Sequence, residues 1–248
     1  MQLYFIRHAQ SENNAHWGEE SYLESHDPEL TQLAHSQIEN LSRFLVQNQE
    51  LDGENSPSLQ NRHGFGLTHI YTSLMVRAVG TALPVAQAIR LPLVAWPEIH
   101  ETGGVFSRDL RDEKSGLPGK PRSYFEAHFP ELILPDWLGE TGWWQSRPFE
   151  EFEERQYRAE KVWSDLLMYH GDKNGKPEHR VALFSHGGFF MHFLTAALGV
   201  KMRRNKANDN EYWFLKNNCA ITRLDVSNNH VRVVYVNRTG FLSDNLIT

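Results

Sequence analysis

Leu3, Tyr4, Phe5 and Ile6 form an unbroken apolar run near the start of the chain that stops at Arg7 and His8. So short a run without polar alternation predicts a strand buried on both faces. Residues 69–72 and 180–184 repeat the pattern, and Arg77 and His186 follow them closely. Between these runs the period changes. Residues 30–46 place Leu33, Ile38, Leu41 and Leu45 at near-helical spacing behind Thr31, a candidate N-cap. Residues 77–90 predict the helix after the second strand, kinked where Pro84 removes a backbone hydrogen bond. Residues 149–170 predict a charged amphipathic helix with Phe152, Ala159, Trp163 and Leu166 as its buried stripe, and residues 189–198 a shorter apolar helix. Further strands are expected near 212–215, 220–224 and 231–236. Strands alternating with helices predict an α/β fold, a three-layer α/β/α sandwich around a mostly parallel sheet covered on both faces.

Two stretches break the pattern. The polar residues 47–66 read as a surface loop, and residues 103–148, mixing glycines, prolines, charges and aromatics, read as an insertion laid over the strand ends. A chain of 248 residues exceeds the common domain size of roughly 100–150 but suits one α/β domain with an insertion. The expectation is a single domain, 1–248, with a small cap at about 103–148.

Arg7, His8, Arg77 and His186 thus reach the carboxyl ends of three predicted strands, where open α/β sheets bind ligands. Two guanidinium forks and two imidazoles at one edge form a cationic, donor-rich pocket matched to phosphate oxygens. Phosphoryl chemistry is the first expectation.

The segment Arg7-His8-Ala9-Gln10-Ser11-Glu12-Asn13-Asn14 resembles the Arg-His-Gly signature of the histidine phosphatase superfamily, the phosphoglycerate-mutase-like fold. The stretch from Ser73 through Arg77 to Ala82 resembles its second arginine motif, and Ser185-His186-Gly187-Gly188 its second histidine motif. Glu98-Ile99-His100-Glu101-Thr102-Gly103-Gly104 lies where the family carries its acid, and the segments around Asn218 and Asn237 resemble its closing strands. Three positions depart from the pattern. Ala9 and Ala34 stand where glycine is usual, and Phe241 where many phosphatase members have a histidine.

The resemblance implies roles. His8 is the nucleophile, forming a phosphohistidine that divides one displacement into two. Arg7 and Arg77 clamp the phosphoryl oxygens and help keep His8 neutral. His186 donates to the same oxygens, aided by backbone N–H groups at Gly187 where a helix begins. Glu101 is general acid and then base, preferred over Glu98 because Gly103 and Gly104 follow it. Asn14 is expected to contact the phosphate, although an Asn-Asn pair is also a turn signal, and Ser11 to bond either the loop or the ligand. The implied activity is metal-independent hydrolysis of phosphomonoesters on a small phosphorylated substrate. A bisphosphoglycerate-dependent phosphoglycerate mutase is the alternative, and a catalytically silent phospho-ligand or protein-binding module the second.

Composition narrows this further. A net charge of −6 argues against general nucleic-acid binding. The longest apolar stretch, 189–200, falls short of the ~20 residues that cross a bilayer and contains His192. One cysteine, Cys219, and a Met1 that leads straight into a strand favour a cytoplasmic protein. The 13 histidines include no His-Glu-x-x-His motif, and no paired cysteines accompany them, so neither a catalytic metal nor another cofactor is expected. The Trp-rich residues 137–144 are either a substrate lid or packing for the insertion, and the basic residues 201–206 either steer anions or form a solvated loop. Oligomeric state is not legible.

Overall fold

The computed structural model describes residues 1–19, 21–46, 61, 64–109, 111, 113–171, 178–204, 212–228 and 230–248. Most of the expected 47–66 loop and the end of the 201–206 basic run lie outside these residues.

The first buried run forms β1 (Gln2–Arg7), followed by a single turn, α1 (Glu12–Ala15), and by α2 (Gln32–Val46). Then come β2 (His69–Thr72), α3 (Val76–Ile89), β3 (Leu93–Ala95), a 3₁₀ turn at Pro97–Ile99, and the hairpin of β4 (Phe106–Arg108) and β5 (Lys114–Gly116). Next are α4 (Arg122–His128), β6 (Leu132–Ile133), α5 (Phe152–His170), β7 (Arg180–Ser185), α6 (Gly187–Ala197), β8 (Ile221–Ser227) and β9 (His230–Arg238). Seven strands form one sheet in the order β6-β3-β2-β7-β1-β8-β9. The neighbours from β6 to β1 are parallel, and β8 runs antiparallel to both β1 and β9.

The absence of polar alternation in β1 has a direct structural cause. Tyr4 and Ile6 pack into a core with α2 and α3, while Leu3 and Phe5 pack into a second core with α5 and α6. A central strand between two helical layers leaves no face for water. The result is a three-layer α/β/α sandwich with a mostly parallel sheet.

Helix α2 begins after Thr31, whose Oγ1 accepts the Ala34 N–H at 3.3 Å as an N-cap does. Helix α3 runs on through Pro84, which lies at an exposed position where water can satisfy the freed carbonyl. In α5, Ala159 and Leu166 are buried as expected, joined by Val162, while Phe152 and Trp163 pack partly buried against the same core.

Residues 212–215 do not form the expected strand. Their exposure alternates, but the Phe214 N–H donates to Met191 Sδ at 3.3 Å, so this segment packs on α6 rather than in a ladder. Strands β3 and β6 escaped the hydrophobic pattern because they are three and two residues long. Within residues 103–148, β6 pairs with β3 and so extends the main sheet.

Candidate active site

The register of the parallel strands assembles the site. Arg7 pairs with Ser185 across β1 and β7, so His8 and His186, one residue beyond each, stand side by side with ring centroids 5.1 Å apart. On the other flank of β7, Thr72 pairs with Phe184, which brings Ser73 and the start of α3 to the same edge. Arg77 is the second residue of α3, and Glu101 follows the 3₁₀ turn after β3. Arg7, His8, Arg77, Glu101 and His186 therefore all come from the carboxyl end of the sheet.

His8 is 2% exposed, and its two ring nitrogens have different partners. Nδ1 lies 2.7 Å from the Ala9 carbonyl oxygen, which can only accept, so Nδ1 carries the hydrogen. Nε2 receives the Nε–H of Arg77 at 3.1 Å, and because a guanidinium can only donate, Nε2 presents its lone pair. The ring is neutral and its tautomer is set. Burial, then the charges of Arg77 and Arg7, hold its pKa well below the usual histidine value. Ala9 is not among the residues with positive φ, so the substitution of alanine for the family's glycine imposes no backbone strain.

Ser73 Oγ accepts the Met75 N–H at 3.2 Å and lies 2.7 Å from His186 Nε2. Among the described residues the Ser73 hydroxyl has no other acceptor, so its hydrogen goes to Nε2, which puts the imidazole hydrogen of His186 on Nδ1. That Nδ1 is buried without a partner, as are Arg7 Nε and Arg77 Nη1. Native structures rarely leave buried donors unpaired, and here three of them come from three elements around one histidine. Nη1 of Arg77 lies 3.7 Å from the buried carboxylate of Asp27, a loose ion pair that leaves the guanidinium able to serve another anion.

Glu101 is docked on the first turn of α6. Its Oε1 accepts N–H groups from Thr102 at 2.8 Å and Phe189 at 2.9 Å, and its Oε2 accepts that of Gly188 at 3.2 Å. Two of the N–H groups at the start of α6 thus serve the carboxylate. A charge at a helix N-terminus is favourable, which explains the placement. Gly187 faces Arg7 instead, the nearest approach of an added Cβ being 3.5 Å to Arg7 Nε. Glu98 lies within the 3₁₀ turn itself, its carbonyl accepting from Arg158, and does not line the cleft that Glu101 lines.

Ser11 stands at the N-cap position of α1, 1% exposed, where its N–H donates to Asn14 Oδ1 at 3.4 Å. That favours the loop over the ligand for Ser11. Asn14 Oδ1 also accepts from Asn218 Nδ2 at 3.0 Å, and the same Asn218 amide donates to the His8 carbonyl at 2.9 Å. Asn14 is therefore part of the brace that holds the His8 loop. Three supports went unread in the sequence: Ser73 behind His186, Asp27 behind Arg77, and Lys216, whose buried Nζ contacts Phe5 O, Ala220 O and Thr222 Oγ1 behind β1. Burial raises the Asp27 carboxyl to about 6, against the opposing pull of Arg77.

A cleft of about 420 Å³ opens above Arg77 and Glu101, its walls carrying Asn13, Tyr22, His26 and Phe106. A groove between α2 and α3 is larger, about 630 Å³, but is walled by Leu30, Ile38, Pro84 and Phe129 and includes none of the convergent donors. Trp143 and Trp144 are 1% and 3% exposed and pack against His100, so these two rings pack the insertion and are not a lid, whereas Trp137 is exposed. Among the described residues, no helix is long and apolar enough to cross a membrane.

The family model for the histidine phosphatase superfamily (branch 1) matches residues 3–239, and the chain belongs to that superfamily. Among solved structures, it is similar to a putative α-ribazole-5′-P phosphatase from Escherichia coli, at 17% identity and a TM-score of 0.57, over 96% of this chain and 97% of that one. It is also similar to a mycobacterial glucosyl-3-phosphoglycerate phosphatase with VO3, at 17% identity and a TM-score of 0.56, over 96% of this chain and 99% of that one. A phosphoserine phosphatase mutant from Entamoeba histolytica in complex with phosphoserine matches at 16% identity and a TM-score of 0.55, over 98% of this chain and 99% of that one. At such identities the likeness establishes the fold. No curated protein matches the chain.

Proposed function

We propose that this protein hydrolyses phosphomonoesters through a phosphohistidine on His8 Nε2, with the phosphoryl charge met by arginine and histidine donors rather than by a metal ion. The observation that carries the reading is the trio of buried, unpartnered donors, Arg7 Nε, Arg77 Nη1 and His186 Nδ1, around a neutral imidazole whose Nε2 presents a lone pair. Family membership and the phosphatase neighbours support the same direction.

An incoming phosphate draws the Arg77 guanidinium from His8 Nε2 onto its own oxygens and exposes the lone pair. Nε2 then bonds phosphorus as the ester P–O bond breaks, and Glu101 gives a proton to the departing oxygen. Oε2, which accepts a single backbone N–H, is the oxygen free to carry that proton. In the second half a water oxygen bonds phosphorus while the N–P bond breaks, and Glu101 takes the water's proton. His8 returns neutral and inorganic phosphate leaves. Splitting the displacement and fixing donors where charge develops are the two sources of acceleration.

A turnover panel of phosphosugars, phosphoglycerates, phosphoserine and nucleotides, run with chelator present, tests the reading. Release of inorganic phosphate from at least one class is expected. Bisphosphoglycerate-dependent isomerisation without phosphate release, or saturable binding without turnover, would overturn it.

A further inference from the structure

At the opposite end of the sheet, three histidines meet that no linear spacing connects. His69 is the first residue of β2, His179 directly precedes β7, and His170 ends α5. One ring nitrogen from each lies within 4.8 Å of the others. We propose that His69, His170 and His179 form a binding site for a divalent transition-metal ion of borderline softness, such as Zn²⁺, separate from the phosphate pocket.

The donor set is of the right kind. Neutral imidazole suits zinc, copper and nickel, and three protein ligands leave a fourth position for water. The spacing is close to what coordination needs. Tetrahedral zinc with Zn–N bonds of about 2.0–2.1 Å separates its ligands by roughly 3.3 Å. His170 Nδ1 and His179 Nδ1 are already 2.9 Å apart, sharing one hydrogen between two imidazoles, and when a cation takes that place the hydrogen moves to Nε2 of the ring that held it, so both rings stay neutral with their Nδ1 lone pairs on the ion.

The outer partners also fit. Thr68 Oγ1 accepts the Arg180 N–H at 2.9 Å, donates its own hydrogen to the Arg180 carbonyl at 3.1 Å, and lies 2.8 Å from His69 Nδ1. With that hydrogen on the Arg180 carbonyl, His69 Nδ1 donates to Thr68 Oγ1 and the lone pair of His69 is on Nε2. Tyr71 Oη lies 3.0 Å from His170 Nε2, so the ring nitrogen that is not a ligand has a partner. Such second contacts orient metal-binding histidines. His170 is 5% exposed and the other two are half-buried, so an ion here is partly shielded yet reachable.

The location separates this site from catalysis. His179 and His186 bracket the length of β7, about 20 Å at ~3.3 Å per residue. A metal would tie the end of α5 to the starts of β2 and β7, and by binding only the folded chain it would raise stability.

The test uses the untagged full chain stripped of metal, titrated with Zn²⁺ by calorimetry and followed by thermal unfolding, with Co²⁺ as an optical probe. We expect one saturable equivalent, a rise in Tm and visible Co²⁺ bands. All three should be lost in His69→Ala/His179→Ala, which leaves the buried His170 in place. Phosphatase turnover in chelator should be the same for both proteins, which shows that the variant is folded. No saturable binding by the parent, or equal affinity in the double variant, would overturn the proposal.

Discussion

A Cβ built on Gly188 would stand 2.5 Å from Glu101 Oε1, so the missing side chain at the start of α6 is what allows the carboxylate to dock there. The same Cβ would meet Thr102 Oγ1 at 2.5 Å. Both clashing atoms end short side chains, so Gly188→Ala should displace Glu101 rather than the helix. General acid catalysis is worth roughly 10²–10⁴-fold, and kcat/KM on alkyl phosphates should fall by about the lower figure with little change in Tm. Parental kinetics in Gly188→Ala would show that Glu101 need not sit where it does.

The two candidate carboxylates can be separated by leaving group. Glu101→Gln should lose about 10²–10⁴-fold in kcat/KM on alkyl phosphates, whose alkoxides need a proton, and far less on p-nitrophenyl phosphate. Glu98→Gln should resemble the parent with both substrates, since Glu98 does not line the cleft. A leaving-group-dependent defect in Glu98→Gln alone would move the acid to that residue.

Asp27 supplies a pH dependence. Its carboxyl is raised to about 6, and only its charged form supports Arg77 across the 3.7 Å pair. Below about pH 6 that support is lost. The substrate's own second ionisation, also near 6, lowers kcat/KM in the same range. The parent should therefore lose kcat/KM more steeply with acid than Asp27→Asn, which retains only the substrate's contribution. Identical acid limbs in the two proteins would remove Asp27 from the Arg77 brace.

Stability should respond to the buried histidines. His8, His100 and His186 all have pKa values held well below the ordinary 6.5, chiefly by burial. The unfolded chain therefore binds protons that the folded chain refuses. Their contribution is present above about 6.5 and is lost as the pH falls toward the folded values, at about 1.4 kcal/mol per pH unit per group. Asp27 acts in the opposite sense between its raised value of about 6 and its ordinary 3.8, one group against three. Thermal unfolding should show Tm falling from pH 7 to pH 5, and a flat or rising Tm would contradict the assignment of these histidines as buried and neutral.

The donor-rich edge was legible because β1, β2 and β7 are short, buried runs with Arg7, His8, Arg77 and His186 just beyond them. The family pattern pointed to Glu101 through the glycines that follow it, and the conformation of those glycines is specific. Gly103 and Gly104 have φ of 88° and 77°, and a Cβ on Gly104 would meet the Trp144 ring at 2.1 Å. The braces were not legible. Asp27 lies in a non-periodic loop and acquires its meaning only when Val76 donates to it at 3.1 Å and Arg77 comes near. The His69–His170–His179 cluster brings the start of β2, about a hundred residues earlier in the chain, to the junction of α5 and β7, and no motif spacing announces it.

The most direct measurement of the central claim is intact-protein mass spectrometry under single-turnover conditions, quenched without acid because phosphohistidine is acid-labile. The parent should carry one phosphoryl group, mapped to His8 and chased to inorganic phosphate, and His8→Ala should carry none, remain folded and fail to turn over. A parent with no phosphoenzyme, together with His8→Ala at the parental rate, would contradict the covalent mechanism.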